Sequence, residues 1–232
     1  MINEPPKFDK DGINVTDPND SLGLKTEYIT CLQDLALKKH LPPARGIALD
    51  VGCGYGRLTG LLESYGWKVT GIDPSEELIE YARKNYSDSH FLVGGLPDLP
   101  VAEGSADLIL FQNLLRTLHL IEKLDVTNKT AQFLKVGGEL AVIDNIREKH
   151  PNYVAEDHLI ELFEKQGMKL QKRIPIRSAR WWMIYLIRYG FIPKKYFPKI
   201  ARYELEKMEK CKKTPKWQYY NVLFIFKKTG SD

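Results

Sequence analysis

The residues best placed to do chemistry in this chain lie in one short run, ALDVGCGYGRLT, from Ala48 to Thr59. A carboxylate, Asp50, is followed by Gly52, Gly54 and Gly56 at alternate positions. Glycines in that density let the backbone turn tightly and let a ligand touch it directly. A glycine-rich turn also serves nicotinamide enzymes, but there the spacing is GxGxxG and the turn cradles a pyrophosphate. Here the spacing is GxGxG. An acidic side chain two positions before the first glycine would repel a pyrophosphate, whereas it suits a ligand with a positively charged amino end.

The segment Asp50 to Gly56 resembles motif I of the class I S-adenosylmethionine (SAM)-dependent methyltransferases, in the small-molecule group that includes the type 11 family. That resemblance implies SAM as cofactor, S-adenosylhomocysteine as product, and a cofactor site at Asp50, Gly52, Cys53 and Gly54. Asp73, at the end of Val69–Asp73, is the acidic residue expected to accept the two ribose hydroxyls. Pro74 follows it, and Ser75 is available to cap the next helix, leaving Asp73 to the sugar. In many small-molecule members an aspartate binds the adenine amino group. Gly95 stands at that place here, so adenine contacts are expected from the backbone around Leu96, with Asp98 as a side-chain substitute. Gln112 is expected to meet the amino acid or sugar part of SAM. Arg57, opening the helix after the glycines, is expected to clamp the cofactor carboxylate with its two-pronged guanidinium. The likeness runs through residues 46–144.

The elements that must hold these residues alternate between short apolar β-branched runs and amphipathic stretches. Strands are expected at Ile47–Val51, Lys68–Ile72, His90–Val93, Asp107–Phe111, Glu139–Asp144, Met168–Ile176 and Tyr219–Phe226. Helices are expected at residues 21–40, Arg57–Tyr65, Ser75–Asn85, Lys123–Leu134 and Glu156–Gln166, the fourth ended by Gly137 and Gly138. This order describes a Rossmann-like α/β fold: a seven-stranded, mostly parallel sheet with helices on both faces and an antiparallel last strand. Residues 1–45 form an N-terminal segment and helix, and residues 46–232 the methyltransferase domain. Within it, residues 177–216 are an insertion between strands six and seven that the sheet does not need. That insertion is expected to fold as short helices over the carboxyl end of the sheet, as a lid on the acceptor.

A methyl donor of this kind is already activated, so the protein has chiefly to align acceptor and donor. A hydroxyl acceptor would also need a general base, whereas a neutral amine would not. His119, after strand four, and Asp144, ending strand five, are the candidate bases. The substrate candidates are Arg116, Arg180, Trp181, Trp182 and Tyr185, a mixture of cations and rings suited to sugars, phosphates or carboxylates.

Charge is unevenly distributed. Residues 1–164 hold 16 Lys and Arg against 26 Asp and Glu, whereas residues 165–228 hold 18 against 3. The basic third points to an anionic partner. Three dispersed cysteines, Cys31, Cys53 and Cys211, argue against disulfides and zinc and for a reducing, cytoplasmic setting with no metal. The apolar stretch Trp181–Ile192 is shorter than the roughly 20 residues that span a bilayer. The expected function is methyl transfer to an O or N atom of a small or medium-sized anionic acceptor, such as a sugar or glycolipid headgroup. Methylation of a protein N-terminus or RNA, and SAM binding without catalysis, are the alternatives. The basic third also leaves a nucleic acid or a membrane surface open as partner.

Overall fold

The computed structural model describes residues 17, 19–86, 88–96, 101–148, 150, 153–179, 181–211 and 218–230. Its seven strands are β1 (Ile47–Val51), β2 (Lys68–Asp73), β3 (His90–Val93), β4 (Ala106–Gln112), β5 (Leu134–Ile146), β6 (Met168–Ser178) and β7 (Tyr220–Lys228). They form one sheet in the order β3-β2-β1-β4-β5-β7-β6. Strands β1 to β5 pair in parallel, while β7 runs antiparallel to both β5 and β6. The run YNVLFIF reads as a continuous apolar strand because β7 lies between two neighbours, with helices covering both of its faces.

Among the described residues, seven helices pack on this sheet: α1 (Leu24–His40), α2 (Arg57–Ser64), α3 (Glu76–Asn85), α4 (Leu120–Phe133), α5 (Glu156–Glu164), α6 (Met183–Arg188) and α7 (Phe197–Glu209). Side chains alternate across the strands and so divide the core in two. Ala48, Leu108, Leu110, Ala141, Ile143, Leu223 and Ile225 meet α1, α2, α6 and α7 through Leu32, Leu58, Ile184, Phe197 and Ala201. Leu49, Ile109, Phe111, Leu140, Val142 and Phe224 meet α4 and α5 through Phe133, Leu159 and Phe163. The helix ends follow charge: α3 has Glu76 and Glu77 in its first turn and Arg83 and Lys84 in its last.

Strand five departs from the sequence expectation. It begins at Leu134, directly after α4, and carries Gly137 and Gly138 inside the strand rather than as a helix stop. Gly137 has φ +81°, and the pairing with β4 shifts register between Ala106 and Leu108. The glycines therefore serve an irregularity in the strand.

The described part of the insertion carries two helices, α6 and α7, which lie in the same layer as α1. The stripe Phe197, Ala201, Glu204 and Met208 on α7 is buried. Tyr28 of α1 packs against Trp181 and Phe197, with ring centroids 5.9 and 5.6 Å apart, and donates a 2.7 Å hydrogen bond to Glu204. That apolar stripe explains the placement, because it has to be buried against a neighbouring surface and α1 and β6 supply one.

Candidate functional site

The strand order reverses between β1 and β4, since β1 leads outward to β2 while β4 leads to β5. In an open α/β sheet the crevice at the carboxyl ends of those two strands is where ligands bind. A cavity of about 580 Å³ lies there. It is lined by Asp50, Gly52, Cys53, Gly54 and Arg57 from the first turn, by Asp73 and Pro74 from the second, and by Gln112 and Asn113 after β4.

The glycine turn is held by backbone bonds. Gly52 and Cys53 both donate to the carbonyl of Ile72, at 2.8 and 3.0 Å. Gly54 lies in the left-handed region, φ +54°, and a Cβ there would meet nothing within 4 Å. Its amide donates to Asp73 Oδ2 at 2.8 Å, while the Ser75 amide donates to Asp73 Oδ1 at 3.0 Å. Asp73 thus ties the two turns together. This differs from the expected division of labour, in which Ser75 caps α3: the Ser75 hydroxyl makes no cap bond.

Asp50 is 1% exposed. Its Oδ2 accepts a 2.7 Å hydrogen bond from the Thr59 hydroxyl, while Oδ1 is buried with no partner among the described residues. Burial pushes the Asp50 carboxyl up to about 6, against the pull of Thr59 and of nearby Arg57. A buried carboxylate oxygen without a donor is costly unless a ligand supplies one. Arg57 is half-buried and donates to Thr30 Oγ1 and Gln33 Oε1 of α1, at 2.9 and 2.7 Å. Those bonds hold the guanidinium at the cavity wall, beside Asp50. An orphaned acceptor, an adjacent cation and an open glycine cradle fit a zwitterionic amino acid end, and Asp73 fits a ribose. The residues present therefore suit the cofactor that the motif implies.

The other sequence candidates scatter. Leu96 is 1% exposed and belongs to the core, and neither Leu96 nor Gly95 lines the cavity. Asp98, Arg180 and the side chain of Arg116 lie outside the described residues. His119 is exposed at the start of α4, where its amide donates to Glu122 at 2.6 Å, and it does not line the cavity. Asp144 is fully buried and accepts the Asn145 amide at 2.7 Å. Strand alternation turns Asp144 to the α4–α5 side, so Asn145 faces the cavity in its place. Trp181 is a core residue beside Tyr28, while Trp182 and Tyr185 are 62% and 53% exposed. None of the described residues 178–211 lines the cavity, so α6 and α7 flank it rather than roof it.

The end of the cavity away from Asp73 is built from residues that the sequence left unassigned: Asn113, Leu114, Leu118, Asn145, Arg177, Tyr219 and Asn221. Asn113 is the described non-glycine residue with positive φ, +55°, and its buried Oδ1 has no partner among the described residues. Asparagine tolerates that conformation better than most residues, and strained backbone of this kind clusters at functional sites. Asn145 and Asn221 face each other across β5 and β7, with a 3.1 Å hydrogen bond from Asn221 Nδ2 to Asn145 Oδ1. Arg177 is 7% exposed and donates to the Tyr219 hydroxyl at 3.3 Å. Tyr219 is itself stacked on Tyr153 at 5.2 Å. Arg177 has no ion pair among the described residues. Glu204 feels its charge, but burial pushes that carboxyl up to about 8. From α1 and the turn before it come Asp17, Lys25, Thr26, Ile29 and Gln33. The one signal for this end in the sequence was asparagine inside or beside apolar strands, at Asn145 and Asn221.

Residues 49–142 match a family model described as a methyltransferase domain. An uncharacterized methyltransferase of Mycobacterium tuberculosis is 27% identical over 136 residues, covering 59% of this chain and 54% of its own length. An O-methyltransferase of Penicillium expansum is 34% identical over 163 residues, 60% of this chain and 58% of its own. The chain therefore spans little more than half the length of these relatives. In fold it is similar to the geranyl diphosphate C-methyltransferase of Streptomyces coelicolor, with TM-score 0.63 at 15% identity over 92% of this chain and 86% of that one.

Proposed function

We propose that this chain is a class I SAM-dependent methyltransferase that methylates an O or N atom of a small, anionic acceptor held by Arg177. Bound SAM supplies a methyl group on a positively charged sulfur. Asp50 accepts the cofactor's ammonium group, Arg57 its carboxylate, and Asp73 the ribose hydroxyls, while Gly54 lets the ligand approach the backbone. That anchoring turns the reactive end toward Asn113, Asn145 and Asn221. Positioning of this kind supplies ~7–11 kcal/mol of rate enhancement in favourable cases.

The observation that carries the acceptor reading is Arg177, a buried cation at the cavity wall with no ion pair among the described residues. Burying an uncompensated charge is costly, and an anionic ligand removes that cost. Among the described residues the cavity is lined by no histidine, and its carboxylates are Asp50, Asp73 and the ion-paired Asp17. That inventory favours an acceptor atom that needs no base, such as a carboxylate oxygen or a neutral amine.

The test is a panel of small carboxylates, phosphates and their neutral isosteres, incubated with SAM and assayed for S-adenosylhomocysteine. Anionic compounds should be turned over and their isosteres should not. Arg177→Met should raise the acceptor KM or abolish turnover while leaving SAM affinity within about twofold. Equal turnover of neutral isosteres, or an Arg177→Met enzyme with unchanged acceptor KM, would overturn the acceptor reading.

A further inference from the structure

The surface beside the cavity mouth is unusually rich in exposed rings. Helix α6 buries Ile184 and Ile187 and turns Trp182, Tyr185 and Tyr189 outward, at 62%, 53% and 63% exposure. Spacings of three and four residues place those rings on one face. Phe191, 74% exposed, follows in the chain, and Leu22, 60% exposed, lies beside Gly190, where a Cβ would come within 3.5 Å of its methyl. Beyond Phe191 come exposed Lys194, Lys195, Tyr196, Lys199, Arg202 and Tyr203. Residues 179–203 hold six Lys and Arg and no Asp or Glu. Contiguous apolar surface of this kind marks an interaction site.

We propose that this face docks the protein on an anionic lipid bilayer. Tryptophan and tyrosine rings favour the headgroup level, where one edge is apolar and the other wet. Phe191 and Leu22 carry no hydrogen-bonding group and fit the acyl boundary beneath. Lys195, Lys199 and Arg202 meet lipid phosphates, Lys194 being paired with Glu27, and a basic amphipathic surface lies in the interface plane on these terms. Charge also disfavours a second copy of the chain as the occupant, because a two-fold contact would press a cationic surface against itself. The patch adjoins the mouth of the cavity: Arg188 of α6 donates to Asp17 Oδ2 at 2.6 Å, and Asp17 and Lys25 line the cavity. Docking there would bring the cavity to the headgroup layer. The proposal does not depend on which acceptor the enzyme takes.

The experiment is co-sedimentation of the full chain with vesicles of phosphatidylcholine alone and of phosphatidylcholine mixed with phosphatidylglycerol. S-adenosylhomocysteine calorimetry on each variant checks its fold. The chain should partition onto the anionic vesicles and leave them at high salt. Replacing Trp182, Tyr189 and Phe191 together by serine should lower partitioning by about tenfold or more. Trp182→Phe, which keeps the bulk, should still bind but lose fluorescence quenching by brominated lipid. No partitioning, equal partitioning of the triple variant, or quenching undiminished in Trp182→Phe would each overturn the proposal. So would a dimer that the triple variant dissolves, or RNA binding through the patch in place of vesicle binding.

Discussion

At Asp50 one carboxylate oxygen is bonded to Thr59 and the other has no donor among the described residues, in a group whose burial raises it to about 6. A ligand ammonium group needs that carboxylate ionised, so binding below this pH must first release its proton. Affinity for S-adenosylhomocysteine should therefore rise with pH up to about 6 and level off above it, falling by up to about tenfold per unit on the acid side. Titration calorimetry between mildly acidic and neutral pH measures this, and Asp50→Asn should bind weakly with no such step. Arg57 supports a second expectation. Its bonds to Thr30 and Gln33 fix the guanidinium at the wall. Arg57→Lys should weaken S-adenosylhomocysteine markedly yet bind its decarboxylated analogue as well as wild type does, because a lysine cannot reproduce the fork. Equal losses for both ligands would make Arg57 a strut between α2 and α1.

Among the elements, the informative contact is between α1 and the inserted α7, where Tyr28 donates to the buried Glu204. Burial pushes the Glu204 carboxyl up to about 8, against the pull of Tyr28, Arg177 and Lys207. A group raised in the folded state gives stability that is full below its unfolded value near 4.5 and is lost as pH rises toward 8. Glu204→Gln should therefore be more stable than wild type in mild alkali by a few kcal/mol and gain little in acid. Thermal melts across that range would show whether the gain grows with pH; a gain independent of pH would mean that Glu204 does not titrate there.

The strands, the glycine turn and Asp73 were legible in the sequence because each depends on local pattern and spacing. The end of the cavity away from Asp73 was not. Asn113 owes its place to a left-handed backbone after β4, and Asn145 owes its place to which side of β5 faces α1. Arg177 becomes buried only when β6 pairs with β7 and α7 closes over it. Those are consequences of tertiary pairing, and apolar periodicity carries no trace of them. Trp181 misled for the complementary reason: its ring packs on Tyr28, which is remote in sequence.

At the scale of the molecule, the sheet sets one wall of the cavity and α1 the other. The N-terminal helix is thus part of the site rather than a prelude to it. No helix among the described residues is long and apolar enough to cross a membrane, which is compatible with docking by the α6 face from one side. On the proposed function, one cavity orders the cofactor from Asp73 through Asp50 toward an acceptor at Asn113 and Arg177. A crystal structure of the chain with S-adenosylhomocysteine measures this directly. The ribose should lie on Asp73, the amino group on Asp50 and the carboxylate on Arg57, with the sulfur turned toward Asn113, Asn145 and Asn221. A ligand bound outside the cavity, or one whose sulfur faces away from that chamber, would contradict it.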